Sequence, residues 1–218
     1  MIWPAFCIDD FFANPEAIIN YSKKLKFYKS EGNYPGERTD SLHNIDYDFF
    51  LNLTRKIIVS LYPNEIDNLN WTATQYFQKI KTKDYPNQGF IHQDLEQEFT
   101  SIIYLTDDLS SGTCIYKRIK EPIPEISKIR KEGYLNLKKQ KTKKFKDELK
   151  FNNSHFEKTI EFKSVKNRMI IFDGAADHGV ENFGNNSKER LTLITFFSAI
   201  YRKDGSPLKF HSNECKKY

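Results

Sequence analysis

From Asn14 onward the apolar residues recur three and four apart. Ala17, Ile18, Tyr21 and Leu25 share a stripe, Asn14 offers an N-cap oxygen, and Pro15 takes the first helical position, where its missing N–H costs nothing. The period returns from Asp46 to Leu61, with Phe49, Phe50, Leu53, Ile57 and Leu61 on one face and Tyr62-Pro63-Asn64 as the stop. Tyr34-Pro35-Gly36, between the two runs, reads as a turn. After about residue 70 the chain changes character. Trp71 to Ile80, Thr100 to Leu105, Gly112 to Tyr116, Asn167 to Phe172 and Leu191 to Tyr201 are short, rich in β-branched and aromatic residues, and bounded by Gly, Asn, Asp or Pro, which predicts strands. Helices followed by strands argue for a mostly β, α+β domain with helical support on one face, and against alternating βαβ units. The sequence has neither repeats nor a glycine-rich phosphate loop.

The 218 residues suit a single domain over 1–218, with a helical N-terminal part to about 66 and a β core from about 70 to 202. An aromatic share of 15% excludes a disordered chain, despite 29% charged residues. The apolar run from Leu191 to Tyr201 is interrupted by Thr192, Thr195 and Ser198 and is too short to span a membrane; the opening residues lack a basic region and meet Asp9-Asp10 early. A soluble, cytoplasmic protein is expected, in the host cytoplasm if the source is viral. Cys7, Cys114 and Cys215 form no paired motif and read as buried small hydrophobes or inert surface thiols. The formal charge of +5 is not spread evenly. Arg118 to Lys150 holds twelve basic and five acidic residues, or +7, leaving −2 elsewhere. The excess lies in an insert of about 118–161, which carries Pro122 and Pro124 and then a mixed helical and loop pattern. Such a run is either a nucleic-acid or acidic-substrate surface or a solvated face.

His92 and Asp94, two apart on an extended segment, project to the same side and could offer two ligands to one metal. A second histidine would complete the two-histidine, one-carboxylate triad of non-haem Fe(II) oxygenases. The spacing alone is weak, since His155-Phe156-Glu157 repeats it in a mixed polar stretch where a surface histidine is the simpler reading.

Order adds what spacing lacks. Gly89-Phe90-Ile91-His92-x-Asp94, Ile103-Tyr104-Leu105-Thr106 with Ser111-Gly112-Thr113, Asn167 to Phe172 leading to His178, Phe183-Gly184, and Arg190-Leu191-Thr192 follow one another in the chain. This succession resembles the motif set of Fe(II)- and 2-oxoglutarate-dependent dioxygenases, and within them is most similar to the prolyl-hydroxylase-like branch. The Asp9-Asp10-Phe11-Phe12 entry and the segment Tyr34 to Thr39 resemble small bacterial and phage members. The resemblance spans most of the chain except the basic insert.

It implies a double-stranded β-helix, a cupin-like jelly roll, with the N-terminal helices packed outside. It also implies Fe(II) held by His92, Asp94 and His178, and 2-oxoglutarate held by Arg190, with Thr192 and Tyr104 assisting at the same carboxylate. The implied reaction consumes dioxygen, couples decarboxylation of 2-oxoglutarate to succinate and CO2 with hydroxylation of a substrate, and has ascorbate as a candidate reductant. Asp94 disfavours halogenation, because halogenating relatives lack that carboxylate. The first candidate substrate is a prolyl or other protein side chain, and the second is a free amino acid or small metabolite. Nucleic acid comes third: relatives that repair DNA carry a further arginine six residues on, where this chain has Phe196. A silent jelly roll that binds through the insert is the alternative of another class, and oligomeric state is left open.

Overall fold

The computed structural model describes residues 5–206 and 208, apart from 33, 87 and 185–188. Cys215 and the opening tetrapeptide lie outside the described residues. The elements run β1 (Ala5–Ile8), α1 (Pro15–Ser22), β2 (Phe27–Lys29), β3 (Glu37–Thr39), α2 (Leu42–Ile45), α3 (Tyr47–Leu61), β4 (Leu69–Ile80), β5 (Phe99–Tyr104), β6 (Asp108–Arg118), α4 (Ile126–Leu135), α5 (Lys143–Asn153), β7 (Phe156–Ser164), β8 (Met169–Asp173), β9 (Asp177–Gly179) and β10 (Arg190–Arg202). Among the described residues, no helix is long and apolar enough to cross a membrane.

Two antiparallel sheets make the jelly roll. The larger has seven strands in the order β1-β8-β5-β10-β4-β3-β2, and the smaller has three in the order β7-β6-β9. The crossovers between non-consecutive strands give the double-stranded β-helix. Side chains on the large sheet alternate as a pleat requires. In β10, Leu191, Leu193 and Phe197 join the core under the helices. Arg190, Thr192, Ile194 and Phe196, alternating with them in sequence, line a cavity on the opposite face. β5 divides likewise, with Phe99 and Ile103 toward the helices and Thr100 and Ile102 toward the cavity.

The first two predicted helices form with their predicted starts. Asn14 Oδ1 accepts from the Ala17 N–H at 3.1 Å, and Asp46 Oδ1 from Phe49 N–H at 3.0 Å. On α3, Leu53, Ile57 and Ile58 are at most 3% exposed against the outer face of the sheet. Burial of this kind is worth about 1.5–3 kcal/mol per side chain. A polar contact fixes the docking inside that apolar layer: Gln75 Nε2 donates to Thr54 Oγ1 at 2.8 Å, and Thr54 donates to the Phe50 carbonyl at 2.7 Å.

The insert is shorter than its sequence pattern suggests. β6 runs through Arg118 and β7 starts at Phe156, so the insertion proper is 119–155 and folds as two helices. The polar stretch after His155 is β7, an edge strand that pairs with β6 alone and whose outward face is exposed. Apolar residues of the insert, Ile126, Ile129, Phe145 and Leu149, pack around Phe90. Gly133 lets α4 and α5 approach, since a Cβ there would lie 2.3 Å from the Phe145 ring. The basic residues of the segment therefore ride on helices whose apolar sides are anchored two residues from His92.

Candidate active site

β9 and the segment before β5 bring the two histidines together. His92 and His178 form an antiparallel bridge, with His92 N–H to His178 O at 3.0 Å and His178 N–H to His92 O at 2.9 Å. Asp94 enters from the loop that follows, fixed by its N–H donating to the Gly174 carbonyl at 2.8 Å. Gly174 has no side chain for a specific reason: a Cβ would sit 1.9 Å from the Gln97 carbonyl oxygen and 2.7 Å from that of Asp94. The ligand-type atoms of His92, Asp94 and His178 lie within 4.8 Å of one another.

Hydrogen bonding sets the imidazole tautomers. His92 Nδ1 lies 2.9 Å from the Phe90 carbonyl and His178 Nδ1 lies 2.9 Å from that of Ala176, so both Nδ1 atoms carry the proton and both Nε2 lone pairs are bare. Those Nε2 atoms face the carboxylate, at 3.6 Å from Asp94 Oδ1 for His92 and 3.5 Å from Oδ2 for His178. Burial, the neighbouring His178 and Arg130 hold His92 well below the ordinary histidine range, and hence neutral. Burial opposes the charge on Asp94, but the two imidazoles, a 3.0 Å hydrogen bond from Thr100 and Arg130 outweigh it and keep the carboxyl below its ordinary value. Two imidazoles that turn Nε2 inward and one carboxylate thus converge on a single point. The residues fit a metal of the kind bound by imidazole and carboxylate.

A second unmet demand lies on the same wall of the cavity. Arg190 is 4% exposed, its Nε has no hydrogen-bond partner, and its guanidinium lies 5.5 Å from the Tyr104 ring centroid. Burial lowers its pKa against the pull of the Tyr104 phenol. Asp108 acts on it only from a distance, and a buried arginine with no direct ion pair among the described residues fits a dianionic cosubstrate that would supply one. Thr192 faces the cavity beside it. The Tyr104 hydroxyl donates to Thr113 Oγ1 at 2.8 Å, and it is Thr113 that reaches the cavity surface.

The cavity, about 190 Å³, is also lined by residues that the sequence pattern did not single out as site residues: Arg38, Gln78, Thr113, Arg130 and Tyr134. Arg38 had a trace in the motif from Tyr34 to Thr39, but Arg130 was hidden among twelve basic residues. His155 stands at the base of the insert with Nδ1 against the Glu121 carbonyl, away from any metal-competent group among the described residues. A further cluster, Cys114, Glu161 and Glu181, already holds a cation: Lys158 Nζ lies 3.1 Å from Glu161 and 2.7 Å from Glu181.

Residues 3–197 match a family described as a family of unknown function. No curated protein matches the chain in sequence. Solved structures share its fold. HygX from Streptomyces hygroscopicus, with nickel and 2-oxoglutarate bound, aligns at a TM-score of 0.57 and 11% identity, covering 90% of this chain and 83% of its own. EvdO2 from Micromonospora carbonacea var. aurantiaca, complexed with 2-oxoglutarate, aligns at 0.53 and 11%, covering 94% and 91%. A Pseudomonas putida prolyl-4-hydroxylase aligns at 0.50 and 13%, covering 89% and 91%. The fold is thus that of the 2-oxoglutarate- and Fe(II)-dependent oxygenases, as the motif order implied.

Proposed function

The chain belongs to the family of unknown function DUF6445, and from that premise we propose that it is an Fe(II)- and 2-oxoglutarate-dependent hydroxylase of an amino-acid-type substrate, peptidyl or free. One observation carries the reading: two imidazole nitrogens and a carboxylate converge at 3.5–3.6 Å in a cavity whose wall holds a buried arginine with an unpartnered Nε and no direct ion pair among the described residues. His92, Asp94 and His178 hold the metal, and Arg190 holds the distal carboxylate of 2-oxoglutarate, with Thr192 beside it. Iron with 2-oxoglutarate and dioxygen supplies the oxidising chemistry, which ends in succinate, CO2 and a hydroxylated product.

The protein's own part is orientation and exclusion of water. The Phe90 and Ala176 carbonyls fix both imidazoles in the tautomer that presents Nε2. Thr100 aims one oxygen of Asp94. Phe172, Phe183, Ile194 and Phe196 supply apolar wall, which keeps the dielectric low around the charged groups. A silent binding module would have no use for two imidazoles and a carboxylate converging beside a buried arginine that makes no direct ion pair among the described residues.

The test is anaerobic addition of Fe(II) and 2-oxoglutarate, followed by the visible charge-transfer absorption of the complex and by thermal stabilisation. Asp94→Ala should abolish both. No absorption and no stabilisation in the unaltered protein would overturn the assignment.

A further inference from the structure

Two more arginines reach the cavity, and among the described residues neither makes a direct ion pair, although both feel Asp94 from a distance. Arg38 comes from β3, the strand that extends the large sheet beyond β4, where it stands opposite Gln78 in register. Its Nε and Nη2 donate to Gln78 Oε1 at 3.3 and 3.2 Å, and Gln78 in turn donates from Nε2 to the Pro35 carbonyl at 2.6 Å. The guanidinium lies 3.9 Å from the Tyr34 ring centroid and 5.2 Å from that of Phe196. It is held in one orientation by stacking and by an amide, with three of its five N–H donors uncommitted. Arg130 comes from α4 on the basic insert and makes no hydrogen bond or ion pair with the described residues. It stands near enough to the triad to bias both His92 and Asp94.

The charges of the proposed complex leave these two groups over. Fe(II) and Arg190 carry three positive charges, and Asp94 and 2-oxoglutarate carry three negative ones; with the more distant Asp108 behind Arg190 the loaded centre has no need of a cation from Arg38 and Arg130 beyond at most one charge. Keeping two further cations in a walled cavity is expensive unless something anionic joins them. Stacked and amide-held, Arg38 is preorganised for an oxyanion, which a planar guanidinium binds through two parallel hydrogen bonds. A cavity of about 190 Å³ bounded by α4 has room for a small molecule beside the cosubstrate.

We propose that Arg38 and Arg130 are substrate-binding residues that grip the oxyanion of a small anionic substrate, so that the hydroxylated compound carries a carboxylate or a phosphate. The basic insert then contributes to specificity through one residue, Arg130, delivered by α4 into the site, while the other charges of the segment serve the surface. This inference rests on the oxygenase reading, because the charge balance assumes a loaded iron centre.

The test uses the intact protein loaded with Ni(II), an inert substitute for Fe(II), and 2-oxoglutarate. It is titrated with acetate and, separately, with methyl phosphate at constant ionic strength, with thermal stabilisation and calorimetry as readouts. Saturable binding of one or both is expected; a preference between them identifies the oxyanion. Arg38→Gln and Arg130→Gln should each weaken it, and the double variant should weaken it at least tenfold, while affinity for 2-oxoglutarate changes less than threefold. Arg130 lies on the insert, away from the main core, so its variant keeps the test informative if Arg38→Gln folds poorly. Stabilisation by Ni(II) and 2-oxoglutarate with no response to either anion, or with an unchanged response in the double variant, would overturn this inference alone. No stabilisation by Ni(II) and 2-oxoglutarate would overturn the oxygenase reading and this inference with it.

Discussion

Replacing Arg190 with methionine separates its cost to the fold from its value to the cosubstrate, because the two effects have opposite signs. In the free protein the guanidinium is 4% exposed, has an orphaned Nε and makes no direct ion pair among the described residues, while burial outweighs the pull of Tyr104 and the more distant Asp108. Burying an uncompensated charge costs several kcal/mol, and methionine fills similar volume without charge. Arg190→Met should therefore leave the melting temperature of the free protein unchanged or higher. With 2-oxoglutarate the sign reverses. Removing one member of a buried charge pair costs about 3–5 kcal/mol, and at about 1.4 kcal/mol per tenfold this weakens binding by roughly a hundredfold to a few thousandfold. At a concentration one hundred times its Kd, 2-oxoglutarate stabilises the unaltered protein by about 2.7 kcal/mol. For a domain of this size each kcal/mol moves Tm by roughly 2–4 °C, so the ligand shift is about 5–11 °C, and in the variant it should fall below detection at the same concentration. Differential scanning fluorimetry with Ni(II), with and without 2-oxoglutarate, reads both effects. A variant that binds 2-oxoglutarate within threefold of the parent would refute the role of Arg190. A free variant melting many degrees lower would show that the arginine serves the fold.

Three further outcomes follow from the geometry. Gly174→Ala forces a Cβ to within 1.9 Å of the Gln97 carbonyl beside the Asp94 loop, so it should weaken metal binding although it changes no ligand, at a stability cost of about 1–3 kcal/mol; calorimetric Ni(II) affinity equal to the parent's would show that Asp94 is not placed by that loop. Thr54→Val strands the Gln75 amide under α3 and should cost about 1–3 kcal/mol in urea unfolding, and adding Gln75→Leu should recover much of it, whereas additive losses would deny the pair any coupling. The Arg168 hydrogen bond holds Asp9 below its ordinary value against a smaller opposing effect of burial, so the stability it adds is fully present above the unfolded value near 4 and is lost as pH falls through the lower native value. Asp9 itself is exposed although Arg168 is not, so this amounts to less than about 1 kcal/mol; the Tm difference between the parent and Asp9→Asn should shrink below pH 4, and a difference that grows there would reverse the sign.

How much of this was legible depends on the range of the interaction. The starts of α1 and α3 were visible in Asn14, Pro15 and Asp46 because capping acts over three residues. α1 nevertheless ends at Ser22, so Leu25, on its predicted stripe, lies beyond the helix and packs against the core from the following loop. β7 was not legible: a polar strand at a sheet edge has little apolar alternation to betray it, and only pairing with β6 makes it a strand. The limits of the insert moved for the same reason.

By itself the sequence offered His92 and Asp94 as a pair on one side of an extended segment, and the order of its motifs, through their resemblance to the dioxygenases, added His178 and Arg190. Only the tertiary structure decided that both imidazoles turn bare nitrogens toward Asp94, because their tautomers depend on backbone carbonyls brought into place by the His92–His178 bridge. It alone also decided which of the twelve basic residues between Arg118 and Lys150 reaches the site. Nothing local distinguishes Arg130 from its neighbours; packing of Ile126, Ile129, Phe145 and Leu149 around Phe90 anchors the helix pair and places that one residue at the cavity.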